Sequence, residues 1–318
     1  MKRLFKSICK ALPIAVICVG ICLSALVEAG FLRLEDISAA FDFPAYRTSQ
    51  VTEEDGGVSM PAEAENFSVT FIDVGQGDSV LIRCSGKSML IDGGEEDSGA
   101  AEYLAAAGIK RLDMMIATHP HSDHIGGLPE IITGFGADRI IVPRLTEEMT
   151  PSTKVYEDFL TAVKDSGSKL TAAKAGAEYE LGEAKVTILY PLPETSSDDL
   201  NDWSVCARVD YGDISWLFTG DLSSPGEKAL LQSGADIDVT AYKAGHHGSS
   251  TASTEKFLER VTPSLCVISC GAGNSYGHPS GEALERFSLY TDHVLRTDIS
   301  GDITVYSDGK KLYVKREK

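Results

Sequence analysis

Short apolar segments alternate with glycine-rich turns and helix-like stretches along most of the chain. Three of them follow one another directly, Val69–Asp73, Ser79–Cys84 and Ser88–Ile91, and a fourth spans Leu112–Ala117. Apolar runs of this length bounded by turn residues predict strands. The first part of the chain is therefore expected to begin with antiparallel strands joined by tight turns.

Strands and helices continue to alternate towards the C-terminus. Further strands are predicted at Arg139–Val142, Lys185–Leu189, Val205–Tyr211, Ile214–Thr219, Val239–Lys243 and Leu265–Ser269. Helices are predicted at Gly99–Ala107, Ser152–Ser166, Gly226–Leu231, Ser253–Arg260 and Gly281–Tyr290. A hairpin of Ile303–Tyr306 and Lys311–Lys315 follows, turned at Asp308-Gly309. Two packed sheets with helices outside, an α/β protein of the αββα sandwich type, fit this order.

The first 66 residues have a different pattern. Basic residues precede an apolar run at residues 11–27, and short side chains follow it, which predicts an export signal over residues 1–29. This run is at the short end for a bilayer span, so an uncleaved membrane anchor is the alternative. Residues 30–66 lack periodicity and are predicted to form a flexible linker, which leaves 67–318 as the folded domain. Either leader places that domain outside the cytoplasm, secreted or anchored to the membrane's outer face.

Composition narrows the possible partners. With 318 residues and 43% hydrophobic content, the chain is not disordered as a whole. Its net charge of −18 repels nucleic acid at long range, so a phosphate-bearing substrate must be captured locally by metal ions and hydrogen-bond donors.

Four cysteines in apolar contexts are expected to be buried free thiols, although a disulfide is permitted outside the cytoplasm: Cys84, Cys206, Cys266 and Cys270.

Metal-binding side chains are concentrated directly after the strand at Leu112–Ala117. His119, His121, Asp123 and His124 supply three imidazoles and one carboxylate within six residues. These are ligands that Zn²⁺ and Mn²⁺ accept, and clusters of this kind usually bind metal. Alternate spacing lets His119 and His121 point the same way from extended backbone, while Asp123 and His124 face a second position. One or two divalent ions, zinc or manganese, are therefore expected.

Three segments resemble one enzyme fold family. Thr118–Gly127 matches the HxHxDH signature of the metallo-β-lactamase fold, and Leu90–Gly94 and Phe218–Asp221 match its two acidic motifs in the expected order. The resemblance implies His119 and His121 on a first metal, Asp123 and His124 on a second, and Asp221 as a bridging ligand.

Three further segments are similar to the extracytoplasmic hydrolase domain of the ComEC/Rec2 competence proteins. They are Phe71–Ser79, Gly245–Ser250 and Tyr276–Ser280. This closer resemblance implies His246 as a ligand of the second metal and His247 as a substrate contact, although the two assignments could be exchanged. For catalysis, Asp123 or Asp221 is expected to orient the attacking hydroxide, and His247 to contact the phosphate or substrate.

The histidine positions depart from the general family pattern. Many members with two metals have another histidine between the HxHxDH motif and the second acidic motif, but none of the seven histidines here falls between His124 and His246. The first metal then lacks a ligand unless Asn201, Asp202 or Ser204 supplies it.

Other polar residues are expected around the metals. Asp92 is predicted to orient a ligand histidine, with a simple turn role as its alternative. The remaining predictions place Asp73 and Asp78 at the cleft border or in a tight turn, His278 at the rim against substrate, and Ser249 and Asn274 as phosphate donors.

The expected reaction is metal-assisted hydrolysis of a phosphodiester. The competence-type motifs favour single-stranded or double-stranded DNA as the substrate. A cell-wall phosphodiesterase, such as an esterase of phosphorylcholine on teichoic acid, is the second hypothesis. A binding module with a degenerate site is the third, and β-lactam or thioester hydrolysis fits the motifs less well.

Overall fold

The computed structural model describes residues 51–53 and 60–318. The predicted leader, 1–29, and residues 30–50 and 54–59 of the predicted linker lie outside the described residues. Within that linker, Val51–Glu53 forms a strand and Ala62–Asn66 a 3-10 helix. The domain boundaries stay predictions. In the described part of the chain, no helix has the length and apolar character needed to cross a bilayer.

The described strands form one sheet of nine strands and one of seven. The first sheet contains β1 (Val51–Glu53), β2 (Phe67–Phe71), β3 (Val80–Cys84), β4 (Lys87–Ile91), β5 (Leu112–Ile116), β6 (Ala137–Val142), β7 (Lys169–Ala172), β15 (Ile303–Ser307) and β16 (Leu312–Arg316). The second contains β8 (Glu178–Leu181), β9 (Ala184–Tyr190), β10 (Cys206–Tyr211), β11 (Ile214–Phe218), β12 (Ala241–Lys243), β13 (Leu265–Ile268) and β14 (Val294–Arg296).

The helices follow the same chain order. They are α1 (Ala100–Ala106), α2 (Ser122–Ile125), α3 (Leu128–Phe135), α4 (Lys154–Ser166), α5 (Ser224–Ser233), α6 (Glu255–Val261), α7 (Gly281–Ser288) and α8 (Thr297–Ser300). Further 3-10 turns cover Leu200–Trp203 and Gly245–Gly248. Every strand and helix predicted from the sequence is present, with ends shifted by a few residues.

Three apolar clusters separate four layers. One, which includes Phe71, Trp216 and Phe218, is built from inward-facing residues of both sheets. A second packs residues of the seven-stranded sheet against α5, α6 and α7, and a third packs residues of the nine-stranded sheet against α1, α3 and α4. The predicted αββα sandwich is thereby confirmed. The four cysteines are buried free thiols, as predicted.

Parallel strands in each sheet bring the predicted metal-binding motifs to one place. Strands β4 to β7 run parallel in the first sheet, and β11 to β14 run parallel in the second. Open α/β sheets bind ligands beyond the carboxyl ends of their strands. Asp92 follows β4, the HxHxDH segment follows β5, Asp221 follows β11 and the His246-His247 pair follows β12.

The centre of the sandwich depends on aromatic packing. The Phe71 ring is fully buried, and its centroid lies 5.6 Å from that of Trp216 and 6.5 Å from that of Phe218. We expect Phe71→Ala to lower the free energy of unfolding by about 3–5 kcal/mol in urea denaturation, because the cavity spans both sheets. Leu170→Ala, at a half-exposed position of β7, is the control and should change it by less than about 0.5 kcal/mol. Equal losses in the two variants would contradict the assigned core.

Candidate metal centre

Four predicted residues converge at the carboxyl ends of the strands. Ligand atoms of Asp123, His124, Asp221 and His247 all lie within 4.8 Å of one another. His247 Nε2 is 3.2 Å from Asp123 Oδ2, and His124 Nε2 is 3.3 Å from Asp221 Oδ2. The side chains of His124, Asp221 and His247 are almost fully buried, whereas that of Asp123 is 22% exposed. We call these four residues the buried cluster.

Unpaired polar atoms test whether the buried cluster fits a metal ion. His124 Nε2, His247 Nε2 and Asp221 Oδ1 are buried and have no hydrogen-bond partner. Buried polar atoms are rarely left unpaired in folded proteins. Two imidazoles and two carboxylates form a donor set suited to Zn²⁺ or Mn²⁺. The residues of the buried cluster therefore fit a divalent ion.

The electrostatics of the buried cluster also favour a cation. Burial alone would lower the pKa of the His124 and His247 imidazoles, but nearby carboxylates, above all Asp221, raise both well above the usual histidine value. Burial opposes the ionised form of Asp221, yet the two histidines hold its pKa well below the usual range. Positive charge is thus stabilised between these side chains, where a metal ion would replace the protons.

A buried carboxylate fixes the orientation of His124. Asp92 Oδ2 lies 2.8 Å from His124 Nδ1, and the Thr118 backbone N–H and hydroxyl donate to Asp92 at 2.7 Å each. All three residues are fully buried. Because Nδ1 of His124 is engaged, its Nε2 is the atom that faces the other members of the buried cluster. This is the geometry that the predicted orienting role of Asp92 requires.

His247 is supported by a different pair of charged groups. Its Nδ1 donates to the Ser269 carbonyl at 3.0 Å and lies 3.3 Å from Asp78 Oδ1. Asp78 Oδ2 in turn lies 2.5 Å from Lys243 Nζ, and both residues are 2% exposed. Burial would raise the pKa of Asp78, but the Lys243 ammonium and His247 outweigh it and lower that pKa to about 2.

Lys243 supports the centre through Asp78, a role that its sequence pattern does not predict. The sequence predicts Lys243 only as the last residue of the strand Val239–Lys243. A lysine closing a strand of buried residues, three positions before His246, was the available signal, because lysine is almost never fully buried unless it is paired.

A glycine allows the two acidic loops to meet. Gly77 has φ +139°, and a Cβ at this position would lie 2.3 Å from the Asp123 carbonyl oxygen. The next residue, Asp78, donates its backbone N–H to that carbonyl at 3.0 Å. Any larger residue at position 77 would push Asp78 away from the buried cluster.

His119 and His121 form a separate pair. His119 Nε2 lies 2.9 Å from His121 Nδ1, and His119 Nδ1 lies 3.1 Å from the Thr118 hydroxyl. Burial and the neighbouring His124 lower the pKa of His119 well below its usual value, which keeps this imidazole neutral. Across residues 51–53 and 60–318, neither His119 nor His121 belongs to a group of three or more candidate ligands.

The three candidates for the missing ligand have different surroundings. Asn201 lines the same cleft as His121, and its buried Oδ1 has no hydrogen-bond partner. Asp202 instead accepts hydrogen bonds from two serine hydroxyls. The Ser204 hydroxyl accepts from the backbone N–H of Asp221 and lies 3.4 Å from His119 Nδ1. Of the three, the Asn201 side chain is the one with a free acceptor facing the cleft.

The His246-His247 pair separates into two environments. Both residues have left-handed backbone angles, with φ of 49° and 53°, which are uncommon for residues other than glycine. His247 is 1% exposed and belongs to the buried cluster, whereas the His246 side chain is 24% exposed and its Nε2 lies 3.6 Å from Asp221 Oδ2. This geometry favours the exchanged assignment, with His247 as the ligand and His246 closer to substrate.

A cleft of about 340 Å³ opens onto the buried cluster. Its walls include predicted residues from several of the motifs, namely His121, Asp123, Asn201, Asp221, His246 and His278. Burial lowers the pKa of both His246 and His278, so these imidazoles are neutral at pH 7. His278 lines the cleft, and its contact with substrate stays a prediction.

The two predicted phosphate donors, and Asp73, have hydrogen-bond partners close to them in the chain. The Asn274 amide group donates to the carbonyls of Gly271 and His278, so both of its N–H groups serve its own loop. The Ser249 hydroxyl pairs with Thr251. Asp73 accepts from the Gly75 backbone N–H and thereby stabilises a turn. The phosphate-donor roles of Ser249 and Asn274 stay predictions, and the Asp73 contact is the turn role predicted as its alternative.

Fold and centre together define a metal-dependent hydrolase. The chain belongs to the metallo-beta-lactamase superfamily, whose family model matches residues 72–271. A solved structure, the CmlA beta-hydroxylase E377D mutant, shares the fold with a TM-score of 0.52 and 15% identity, over 91% of this chain and 60% of that one.

The curated relatives include a protein of the ComE operon and a competence protein. The chain is 30% identical to ComE operon protein 3 of Bacillus subtilis (strain 168) over 76% of its own length and 33% of the relative. It is also 30% identical to competence protein ComA of Neisseria gonorrhoeae, over 91% of this chain and 38% of the relative. The chain thus spans about a third of the length of these relatives.

The buried Lys243–Asp78 pair leads to a stability prediction. Lys243→Met leaves the Asp78 carboxylate buried without its counter-charge, and we expect the free energy of unfolding to fall by about 3–5 kcal/mol. Urea denaturation in the presence of a chelator measures this without a contribution from metal. The double variant Asp78→Asn/Lys243→Met should regain part of the loss.

A surface pair supplies the control. Lys87 lies 2.8 Å from Asp113, but its side chain is 56% exposed, so Lys87→Met should leave stability essentially unchanged. If Lys243→Met were equally harmless, the buried pair would not stabilise the loop that carries Asp78.

Proposed function

We propose that this chain is an extracytoplasmic metal-dependent phosphodiesterase that hydrolyses a nucleic-acid strand during DNA uptake. The unpaired ligand atoms of the buried cluster, open to a polar cleft, carry the proposal of a working hydrolase. The competence proteins among its relatives support DNA as the substrate class.

We further propose two metal positions of unequal affinity. Asp123, His124, Asp221 and His247 hold the tighter ion, Zn²⁺ or Mn²⁺. His119 and His121 hold a weaker one, with Asn201 as a third, neutral ligand. Asp202 and Ser204 have no part in it, because their side chains bond to neighbouring groups.

Each side chain has a defined task in the proposed reaction. A bound divalent ion polarises phosphoryl oxygens and makes water a stronger acid. Asp123, the least buried member of the cluster, orients the attacking water, while Asp221 stays ionised between the histidines. Asp92 and Asp78 hold His124 and His247 in position. His246 and His278, both neutral, contact the substrate.

A cell-wall phosphodiesterase is the second candidate. The net charge of −18 favours a substrate smaller than a polyanion. Choline groups, however, are recognised by cages of several aromatic rings. Tyr276 is the one aromatic residue besides histidines among the described residues that line the cleft. The cleft therefore fits a phosphorylcholine ester less well than a nucleotide strand.

A substrate panel tests the proposed reaction. The protein is stripped with a chelator, reloaded with Zn²⁺ or Mn²⁺, and assayed on bis-p-nitrophenyl phosphate, single-stranded DNA and p-nitrophenyl phosphorylcholine. We expect turnover of the first two, abolished by the chelator and by His247→Ala, and reduced by His121→Ala. Exclusive turnover of the choline ester would favour the cell-wall enzyme. Metal binding without any turnover would favour a binding module.

Metal affinity separates the two adjacent histidines. Removing a residue that only supports a ligand typically weakens metal binding 10–100-fold, so removing a ligand should cost more. We expect His247→Ala to weaken binding of the tighter ion by more than about 100-fold and His246→Ala by less than about tenfold. Competition with a chromophoric chelator measures both. The reverse order would restore the assignment made from the sequence.

A further inference from the structure

Tyr276 exposes an aromatic ring at the mouth of the cleft that holds the buried cluster. Its exposed fraction, 69%, exceeds that of every other large hydrophobic side chain in the described part of the chain. The next most exposed, Ile299 at 63%, does not line this cleft. An apolar ring left in water beside a reaction centre gains free energy when a ligand covers it.

The loop that carries Tyr276 is held in one conformation. Asn274 Oδ1 accepts the backbone N–H groups of Tyr276 at 3.1 Å and His278 at 3.0 Å, and its amide donates to carbonyls at both ends of the loop. Gln76 Oε1 accepts from the Gly271 N–H at 3.2 Å and ties this loop to the one that carries Asp78. A ring on such a loop loses little conformational freedom when a ligand binds.

Near-parallel rings connect Tyr276 to the buried cluster. The Tyr276 and His278 rings lie 5.8 Å apart at 22°, and the His278 and His247 rings lie 6.4 Å apart at 28°. A flat group stacked on Tyr276 would continue this row at the cleft mouth. A base stacked there could belong to the same strand as a phosphodiester bond placed at the metal ligands.

Because no basic side chain among the described residues lines the cleft, stacking on an aromatic ring would add to the affinity that bound metal ions give a nucleic-acid strand. None of the described residues that line the cleft is a lysine or an arginine. Lys243 is buried against Asp78 and does not reach the cleft. Proteins that bind single strands combine basic grooves with aromatic side chains on which bases stack. The first component is missing from this cleft, and Tyr276 supplies the second.

We propose that Tyr276 is a stacking platform for a base next to the scissile phosphodiester, and that it selects single-stranded nucleic acid. In a duplex the bases are already stacked on their neighbours, so a single strand offers the free face. This inference rests on the proposed phosphodiesterase function and specifies the substrate form that it takes.

Binding of matched oligomers tests the platform separately from turnover. The metal-loaded full chain is titrated with a fluorescently labelled phosphorothioate pentamer of thymidine, which resists hydrolysis, and with the abasic pentamer of the same linkages. We expect the base-bearing pentamer to bind more tightly than the abasic one. Tyr276→Ala should weaken binding of the base-bearing pentamer about tenfold and leave the abasic one unchanged. Tyr276→Trp should restore the preference.

Turnover and a surface control complete the design. With ordinary single-stranded DNA, Tyr276→Ala should raise KM about tenfold and change kcat less than twofold. Ile299→Ala, which removes a similarly exposed apolar side chain outside the cleft, should change neither.

The outcomes separate the two proposals. A preference for bases that survives in Tyr276→Ala, or that the unmodified chain lacks, would overturn the platform. Phosphorylcholine binding that depends on Tyr276, with no preference for bases, would overturn it in favour of a choline site. Base-dependent binding lost in Tyr276→Ala but without any DNA cleavage would support the platform and refute the nuclease.

Discussion

Crowding of buried carboxylates is the constraint on which the rest of the centre depends. Asp78, Asp92 and Asp221 are each at most 2% exposed and surround His124 and His247. Carboxylates gathered around the same two imidazoles repel one another, and burial adds a desolvation cost. Lys243 offsets one carboxylate and Thr118 bonds to another, which leaves negative charge that a bound cation would balance.

The same constraint makes the centre unequal on its two sides. Ligands backed by buried carboxylates, His124 and His247, belong to the buried cluster, while His119 and His121 contact each other and neutral hydroxyl groups. Orienting carboxylates strengthen histidine ligands. The chain has no histidine between His124 and His246 that could complete the first metal position. The histidines of that position, His119 and His121, are also the ones with weaker support.

Much of the fold was predictable because its strands are buried and short. The edge strands β7 and β8 were not predictable because their residues are mostly exposed and carry no clear alternation. Helix α3 was not predictable because glycines and a proline interrupt its pattern.

The motifs predicted where the centre lies, but two adjacent histidines cannot be ranked as metal ligands from sequence. Their burial in the folded chain separates them, with the His247 side chain 1% exposed and that of His246 24% exposed. The Lys243 pairing and the loop role of Asn274 depend on contacts between distant segments.

Anomalous X-ray scattering from metal-soaked crystals tests the unequal centre most directly. Data collected at the absorption edge of zinc or manganese locate each ion and give its occupancy. We expect an ion within reach of Asp123, His124, Asp221 and His247 that reaches full occupancy at lower metal concentration than any ion beside His119 and His121. An ion that fills the His119–His121 position first, or an empty buried cluster at saturating metal, would contradict this account.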